Sequence, residues 1–128
     1  PARREWTGVA SIVNIGSIYG IVGPQWEMYR GTSMGNPAAY AASKGGLIQL
    51  TRWLATTLAP NIRTNAISAG GIYRNQSQKF LEEYKKRTPM GRMGKEEDVV
   101  ASILFLLSDM STYINGHNLV VDGGWTAW

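Results

Sequence analysis

Tyr40-Ala-Ala-Ser-Lys44 sets a phenol and an ammonium one helical turn apart, and residues at that spacing share a helix face. A cation beside a phenol favours the phenolate and eases proton transfer near neutral pH, so the pair has the composition of an acid-base device. On spacing alone it could equally be an ordinary surface pair. Ser17 is a third candidate. It closes the apolar run Val9-Ala-Ser-Ile-Val-Asn-Ile15 just beyond Gly16, where a hydroxyl can hold a reacting oxygen.

These residues need elements to position them. The run Val9 to Ile15 is β-branched and apolar on both alternating faces, which predicts a buried strand with Ser17 past its carboxyl end. Residues 18–37 carry Gly20, Gly23, Pro24, Gly31, Gly35 and Pro37 among aromatic residues, a composition that predicts a long ordered loop. Asn36-Pro37 then starts a helix over Ala38 to Leu58, rich in Ala and Gly and ended before Pro60. Its small residues would allow a close approach by another element or a ligand. Ile62 to Ile67 predicts a second strand, with Ala69-Gly70-Gly71 a turn at its end. A lid-like segment, 73–95, holds an amphipathic helix over Gln76 to Arg87 that carries Phe80, Leu81 and Tyr84. Lys95 to Leu107 predicts an apolar helix with Glu96, Glu97 and Asp98 in its first turn, where negative charge complements the helix dipole. Asn118 to Val121 predicts a last strand.

Short apolar strands alternating with helices define an α/β class: a three-layer, Rossmann-like parallel sheet of about three strands with right-handed crossovers. Ligands in such sheets bind at the carboxyl ends of the strands, which is where Ser17, Gly70 and Gly71 fall.

Composition narrows the function. The 128 residues contain no Cys and one His, so neither a disulfide framework nor a thiolate or histidine-cluster metal site is expected, and Glu96 to Asp98 read as a helix start rather than metal ligands. His117 alone defines no relay and reads as a turn residue before the last strand. Trp125 and Trp128 read as packing or rim residues. No apolar run approaches the roughly 20 residues of a membrane helix, and residues 1–8 do not read as a signal peptide. A cytoplasmic setting and no membrane partner are expected. Residues 61–95 hold eight Lys or Arg against two acidic residues. They are spread over several elements and mixed with Glu82 and Glu83, without a nucleic-acid-binding motif, so a solvated helix face is expected and nucleic acid is not.

Taken together, Ile12-Val-Asn-Ile-Gly-Ser-Ile-Tyr-Gly20, Tyr40-Ala-Ala-Ser-Lys-Gly-Gly-Leu47, Ile62-Arg-Thr-Asn-Ala-Ile-Ser-Ala-Gly70, Pro89-Met-Gly-Arg-Met-Gly94 and Ile114-Asn-Gly-His-Asn-Leu-Val-Val-Asp-Gly-Gly124 resemble, in order, the short-chain dehydrogenase/reductase family. The resemblance implies an NAD- or NADP-dependent oxidoreductase acting on a carbonyl or alcohol. Tyr40 would be the acid-base residue, Ser17 would hold the carbonyl oxygen, and Lys44 would act on Tyr40 and bind the nicotinamide ribose. Tyr40, Lys44 and the segment Ala69, Gly70, Gly71, Ile72 would contact the cofactor. The wording around Gly23 to Met34 and the ending Asp-Gly-Gly-Trp-Thr-Ala-Trp128 are similar to a bacterial subgroup of surface-glycan and nonulosonic acid pathways, which implies a sugar-related substrate.

The departures from the pattern matter as much. The family's glycine-rich turn after a first strand is not found, nor the residue that selects NAD or NADP. The chain therefore corresponds to the C-terminal, substrate-side half of one domain, without the dinucleotide-binding half, and cofactor binding by these residues alone is doubtful. The strand Ser11 to Ile15, central in the complete fold, would become an apolar open edge that invites pairing, so a homo-oligomer is expected. A non-catalytic oligomerising or regulatory remnant is the alternative. Ala69 stands where the family usually has proline, and Arg74 where a threonine touches the cofactor. The 23 positions from Ser17 to Tyr40 exceed the usual spacing, and the added loop offers Tyr19, Trp26, Met28, Tyr29 and Met34 as a substrate wall, or as packing against the domain or an interface.

Overall fold

The computed structural model describes residues 9–128; the stretch 1–8, judged above not to be a signal peptide, lies outside them. Strands β1 (Ala10–Ser17), β2 (Ile62–Ala69) and β3 (Asn118–Val121) form one parallel sheet in the order β1-β2-β3. The helices are α1 (Ala38–Leu58), α2 (Gln78–Arg87) and α3 (Glu96–Leu107). The α/β class, the three strands and the long helix agree with the sequence reading. Both leading strands run two residues further than expected. Pairing continues through Gly16↔Ser68 to Ser17↔Ala69, so Ser17 is the last residue of β1 rather than the first beyond it. Ladder hydrogen bonds are indifferent to the apolar pattern that sets a strand's legible length.

The layers follow from side-chain alternation. Ser11 and Asn14 lie an odd number of residues apart and point to opposite faces of β1. Asn14 donates to Thr51 Oγ1 on α1 at 2.9 Å, and Ser11 donates to the Leu106 carbonyl on α3 at 2.9 Å. The sheet is therefore sandwiched between α1 and α3, in three layers. This corrects the expectation of two right-handed crossovers: connections that step the same way across a sheet with helices on opposite faces have opposite hands. The β2–β3 connection makes a long excursion over the rim before α3, and so escapes the constraint on single-helix crossovers.

The central strand is buried on both faces, and most of its polar side chains are bonded there, with the Thr64 hydroxyl the exception. The Asn65 amide donates to the Ile114 carbonyl at 2.9 Å and accepts from the His117 N–H at 2.9 Å, which holds His117 in the turn before β3. Arg63 donates to the carbonyls of Leu106, Ser108 and Ile114, closing the end of α3. Asp98 accepts the Lys95 N–H at 2.7 Å, and Arg92 grips its two oxygens at 2.6 and 2.9 Å. The first turn of α3 is thus a capped helix start. Much of the basic segment is ion-paired: Arg74 with Glu96, Lys86 and Arg87 with Glu83, and Arg92 with Asp98.

Along the open edge, β1 has no partner strand among the described residues. Val9 and Ile15 there are 47% and 46% exposed, and Leu50 and Trp53 of α1 and Leu104 and Leu107 of α3 are also exposed. No helix among the described residues is long and apolar enough to cross a membrane.

Candidate active site

The carboxyl ends of β1 and β2 open into a cleft of about 450 Å³. Ser17 enters it from the end of β1, Tyr40 from the first turn of α1, and Ala69, Gly70, Gly71 and Ile72 from the end of β2. Three of the four kinds of group expected at the site therefore share one wall-to-wall space. Ser17 is 7% exposed, and its Oγ accepts the Tyr19 N–H at 3.2 Å, which leaves its own proton for another acceptor. Tyr40 is 43% exposed, so its hydroxyl is reachable. Lys44 does not line the cleft. Its Nζ stands 5.6 Å from the centre of the Tyr40 ring and donates to the Ile15 carbonyl at 2.9 Å. That bond ties α1 to β1 and uses one of the three ammonium donors, leaving two.

Close backbone packing sets the position of Tyr40 and Lys44. The chain turns through a 3₁₀ helix at Ile18–Gly20 straight after β1, and Gly20 lies against α1 so tightly that a Cβ there would fall 2.7 Å from the Lys44 carbonyl carbon and oxygen. A side chain at Gly20 would push the helix away. The close approach expected from the small residues of α1 is made by this turn. At the end of β2, the Gly71 N–H donates to the Tyr84 hydroxyl at 2.6 Å, and a Cβ on Gly71 would lie 2.7 Å from the Tyr84 ring. Burial raises the Tyr84 pKa, which keeps that hydroxyl neutral. Segment 73–95 is pinned at its base: Gly94 N–H donates to the Gly71 carbonyl and Tyr73 N–H to the Gly94 carbonyl, each at 2.9 Å.

Of the five residues of the long loop read as a substrate wall, Tyr19, Tyr29 and Met34 line the cleft. Trp26 and Met28 do not. Met28 is fully buried in a core with Phe80, Tyr84, Met93 and Trp125, and Trp26 is 59% exposed at the loop's outer side. The 3₁₀ turn Trp26–Tyr29 turns Met28 inward and leaves Trp26 and Glu27 outside, which the loop's composition could not disclose. Rings continue from Trp26 to Tyr29, Phe80, Tyr84 and Trp125, with the last pair stacked 4.6 Å apart. Trp125 is therefore buried packing, while Trp128 is 80% exposed.

Sequence reasoning missed several wall residues: Asn36, Gln76, Phe80, Tyr84 and Met93. Phe80 and Tyr84 carry a signal, the i, i+4 apolar face of α2, which the sequence places on a lid-like helix without assigning it to the cleft. Asn36 carried none beyond its place before Pro37. Arg74, at the position where the family has a threonine, turns away to pair with Glu96 of α3. A smaller hollow of about 200 Å³ lies across Gly70–Ile72 from the cleft and contains the Arg92–Asp98 pair.

The residues present suit the nicotinamide end of a dinucleotide. A reachable phenol, a buried hydroxyl and a backbone segment without bulky side chains before Ile72 converge on a space large enough for a ring and a small substrate. Nothing among the described residues offers a glycine-rich turn for the pyrophosphate.

Comparison with known proteins gives this arrangement a lineage. A family model described as enoyl-(acyl carrier protein) reductase matches residues 2–126. The chain belongs to the short-chain dehydrogenase/reductase family. It is 41% identical over 116 residues to the post-translational flagellin modification protein A of Campylobacter coli, covering 90% of this chain and 45% of that protein. A 3-oxoacyl-(acyl-carrier-protein) reductase of Thermotoga maritima is 41% identical over 121 residues, covering 89% of this chain and 44% of that one. Among solved structures, a short-chain dehydrogenase from Leptospira borgpetersenii with bound NAD+ superposes with a TM-score of 0.85 at 44% identity, over 91% of this chain and 44% of that one. The chain spans a little under half the length of these relatives, and the stretch it shares is the α/β half with the three-stranded parallel sheet. Similar structures hold NAD+, NADH or NADP.

Proposed function

We propose that this chain is the C-terminal, substrate-side part of a single dehydrogenase domain, 1–128, that interconverts a carbonyl and an alcohol with NAD or NADP. The observation that carries the reading is the shared cleft: Ser17, Tyr40 and Ala69–Ile72 line one space at the carboxyl ends of two parallel strands, with Lys44 one turn behind. The bound nicotinamide would supply the hydride. Tyr40 gives its phenolic proton to the carbonyl oxygen in reduction and takes one back in oxidation. Ser17, whose Oγ already accepts from Tyr19 N–H, donates to the same oxygen and holds it in place. Lys44 places positive charge beside the phenol and has two N–H groups left for the ribose hydroxyls. Gly70 and Gly71 let the backbone lie flat beside the nicotinamide.

The loop 18–37 and the segment 73–95 form the two walls over this site, with the second acting as a lid. The other half of the domain adds strands to the open edge of β1, covers Ile15 and supplies the grip on the phosphates. The exposed Leu50 and Trp53 of α1 join copies into a homo-oligomer in the cytoplasm. The likeness of residues 23–34 and of the ending Asp-Gly-Gly-Trp-Thr-Ala-Trp128 to a surface-glycan subgroup supports a sugar-related substrate, while acyl-carrier-protein reductases stand among the relatives as well.

The test is nicotinamide absorbance during incubation of the full-length protein with alcohols and carbonyls. Turnover with one of the two coenzymes should fall about 10²- to 10³-fold in Ser17→Ala. Undiminished turnover in that variant would contradict the assignment. A full-length protein that binds neither coenzyme would favour the alternative, a non-catalytic remnant.

A further inference from the structure

We infer that the cleft selects an uncharged ring substrate carrying a second oxygen beside the reacting one, and that the Asn36 side-chain amide donates to that second oxygen. The inference rests on the redox reading above and adds the substrate's chemistry to it. Three observations carry it. First, the lining of the cleft contains no Asp, Glu, Lys, Arg or His among the described residues. The nearest ammonium, Lys44, is bonded to the Ile15 carbonyl, and the Arg92–Asp98 pair sits in the separate hollow. A carboxylate or phosphate entering this cleft would lose its water with no cation to replace it, which is strongly unfavourable.

Second, what lines the cleft instead is aromatic faces with neutral polar tips. Tyr19 and Tyr29 share one hydroxyl–hydroxyl hydrogen bond at 2.6 Å. Two phenols joined by one bond still have one O–H to give. Burial and that shared bond push the Tyr19 pKa up, so its hydroxyl stays neutral. Flat rings suit the C–H faces of a cyclic substrate, and the leftover O–H suits a hydroxyl.

Third, Asn36 is 9% exposed, lines the cleft, and its Nδ2 has no hydrogen-bond partner among the described residues. The buried amide of Asn65 is bonded, as is that of half-buried Asn14. A buried donor without an acceptor is unfavourable. The amide shares the cleft with Tyr40 and the Tyr19–Tyr29 pair, and an acceptor oxygen of a substrate held among them would satisfy it.

The experiment compares kcat/KM of the full-length protein for trans-1,2-cyclohexanediol, cyclohexanol and 4-hydroxycyclohexanecarboxylate. The diol should be preferred to cyclohexanol by about tenfold or more through KM, as one added hydrogen bond in a desolvated site provides, and the carboxylate should be the poorest. Asn36→Ala should collapse the diol preference. Asn36→Leu, which keeps the volume and removes the amide hydrogens without adding charge, should collapse it too and guards against a packing defect in the alanine variant. Coenzyme affinity reports folding of both. A preferred carboxylate, or a diol preference that survives both substitutions, overturns the inference. Failure on all three rings while a linear or charged alcohol is oxidised also overturns it and leaves the redox reading standing. Wild-type-like turnover of the diol by Tyr40→Phe sinks the redox reading itself.

Discussion

The rim of the sheet and its open edge are built to different standards. At the rim, nearly every close approach is matched: Gly20 against Lys44, Gly71 against Tyr84, Gly94 against Gly71, and a run of rings from Tyr29 to Trp125. Along β1 the ladder simply stops, with Val9 and Ile15 half-exposed and the Ile15 carbonyl held by the Lys44 ammonium. The contrast teaches that the rim is a finished piece of structure built on β1 and β2, whereas β1 is paired on one side only; on the proposed reading, strands from the other half of the domain would cover that edge.

The largest expected effect sharpens the rim side. Tyr40→Phe in the full-length protein should lower turnover about 10²- to 10⁴-fold, the usual worth of a positioned acid-base group, while coenzyme affinity measured by fluorescence stays near wild type. Next is the edge. Ile15→Lys places a charge where added strands and helices should bury an apolar group, and should destabilise the full-length protein by about 3 kcal/mol in urea unfolding. An unchanged midpoint would mean that the edge stays open. Third, Gly20→Ala must displace backbone at Lys44 and should lower stability by about 1–3 kcal/mol, with a loss of turnover larger than that of a remote variant of equal stability.

The smallest effect concerns acid. Arg92 and the Lys95 N–H hold Asp98 well below the usual carboxylate range, and Arg87 and Lys86 hold Glu83 down at about 2 from 4.5. Both keep about a third of the side chain in water, at 28% for Glu83 and 34% for Asp98, so screening keeps the contribution small. Because the folded values are depressed, that contribution is complete above the unfolded carboxylate values and fades as pH falls from about 4.5 towards 2. Asp98→Asn should flatten part of this acid limb in a melting-temperature profile, without changing the plateau shape near neutral pH.

Legibility in the sequence divided along similar lines. Helix α1 was readable to the residue because Pro37 and Pro60 bracket an Ala-rich run, and Tyr40, Ser17 and Ala69–Ile72 were readable because their order along the chain survives folding. Asn36, Gln76 and Met93 were not, since each enters the cleft through a loop or a neighbouring element whose direction no local pattern records. Met28 shows the reverse: it sits among site-like residues in the chain and is buried in the core, because a 3₁₀ turn faces it inward. The opposite hands of the two crossovers depended on which face α3 covers, which only the Ser11–Leu106 and Asn14–Thr51 bonds revealed.

The most direct test of a finished rim beside an unfinished edge is a calorimetric titration of NAD(H) and NADP(H) into the full-length protein and into the 128-residue chain, with circular dichroism confirming that each is folded. The account predicts saturable binding of one coenzyme by the full-length protein, and binding by the folded chain at least about a hundredfold weaker, since the phosphates' grip lies in the other half. Equal affinity in the two would contradict it.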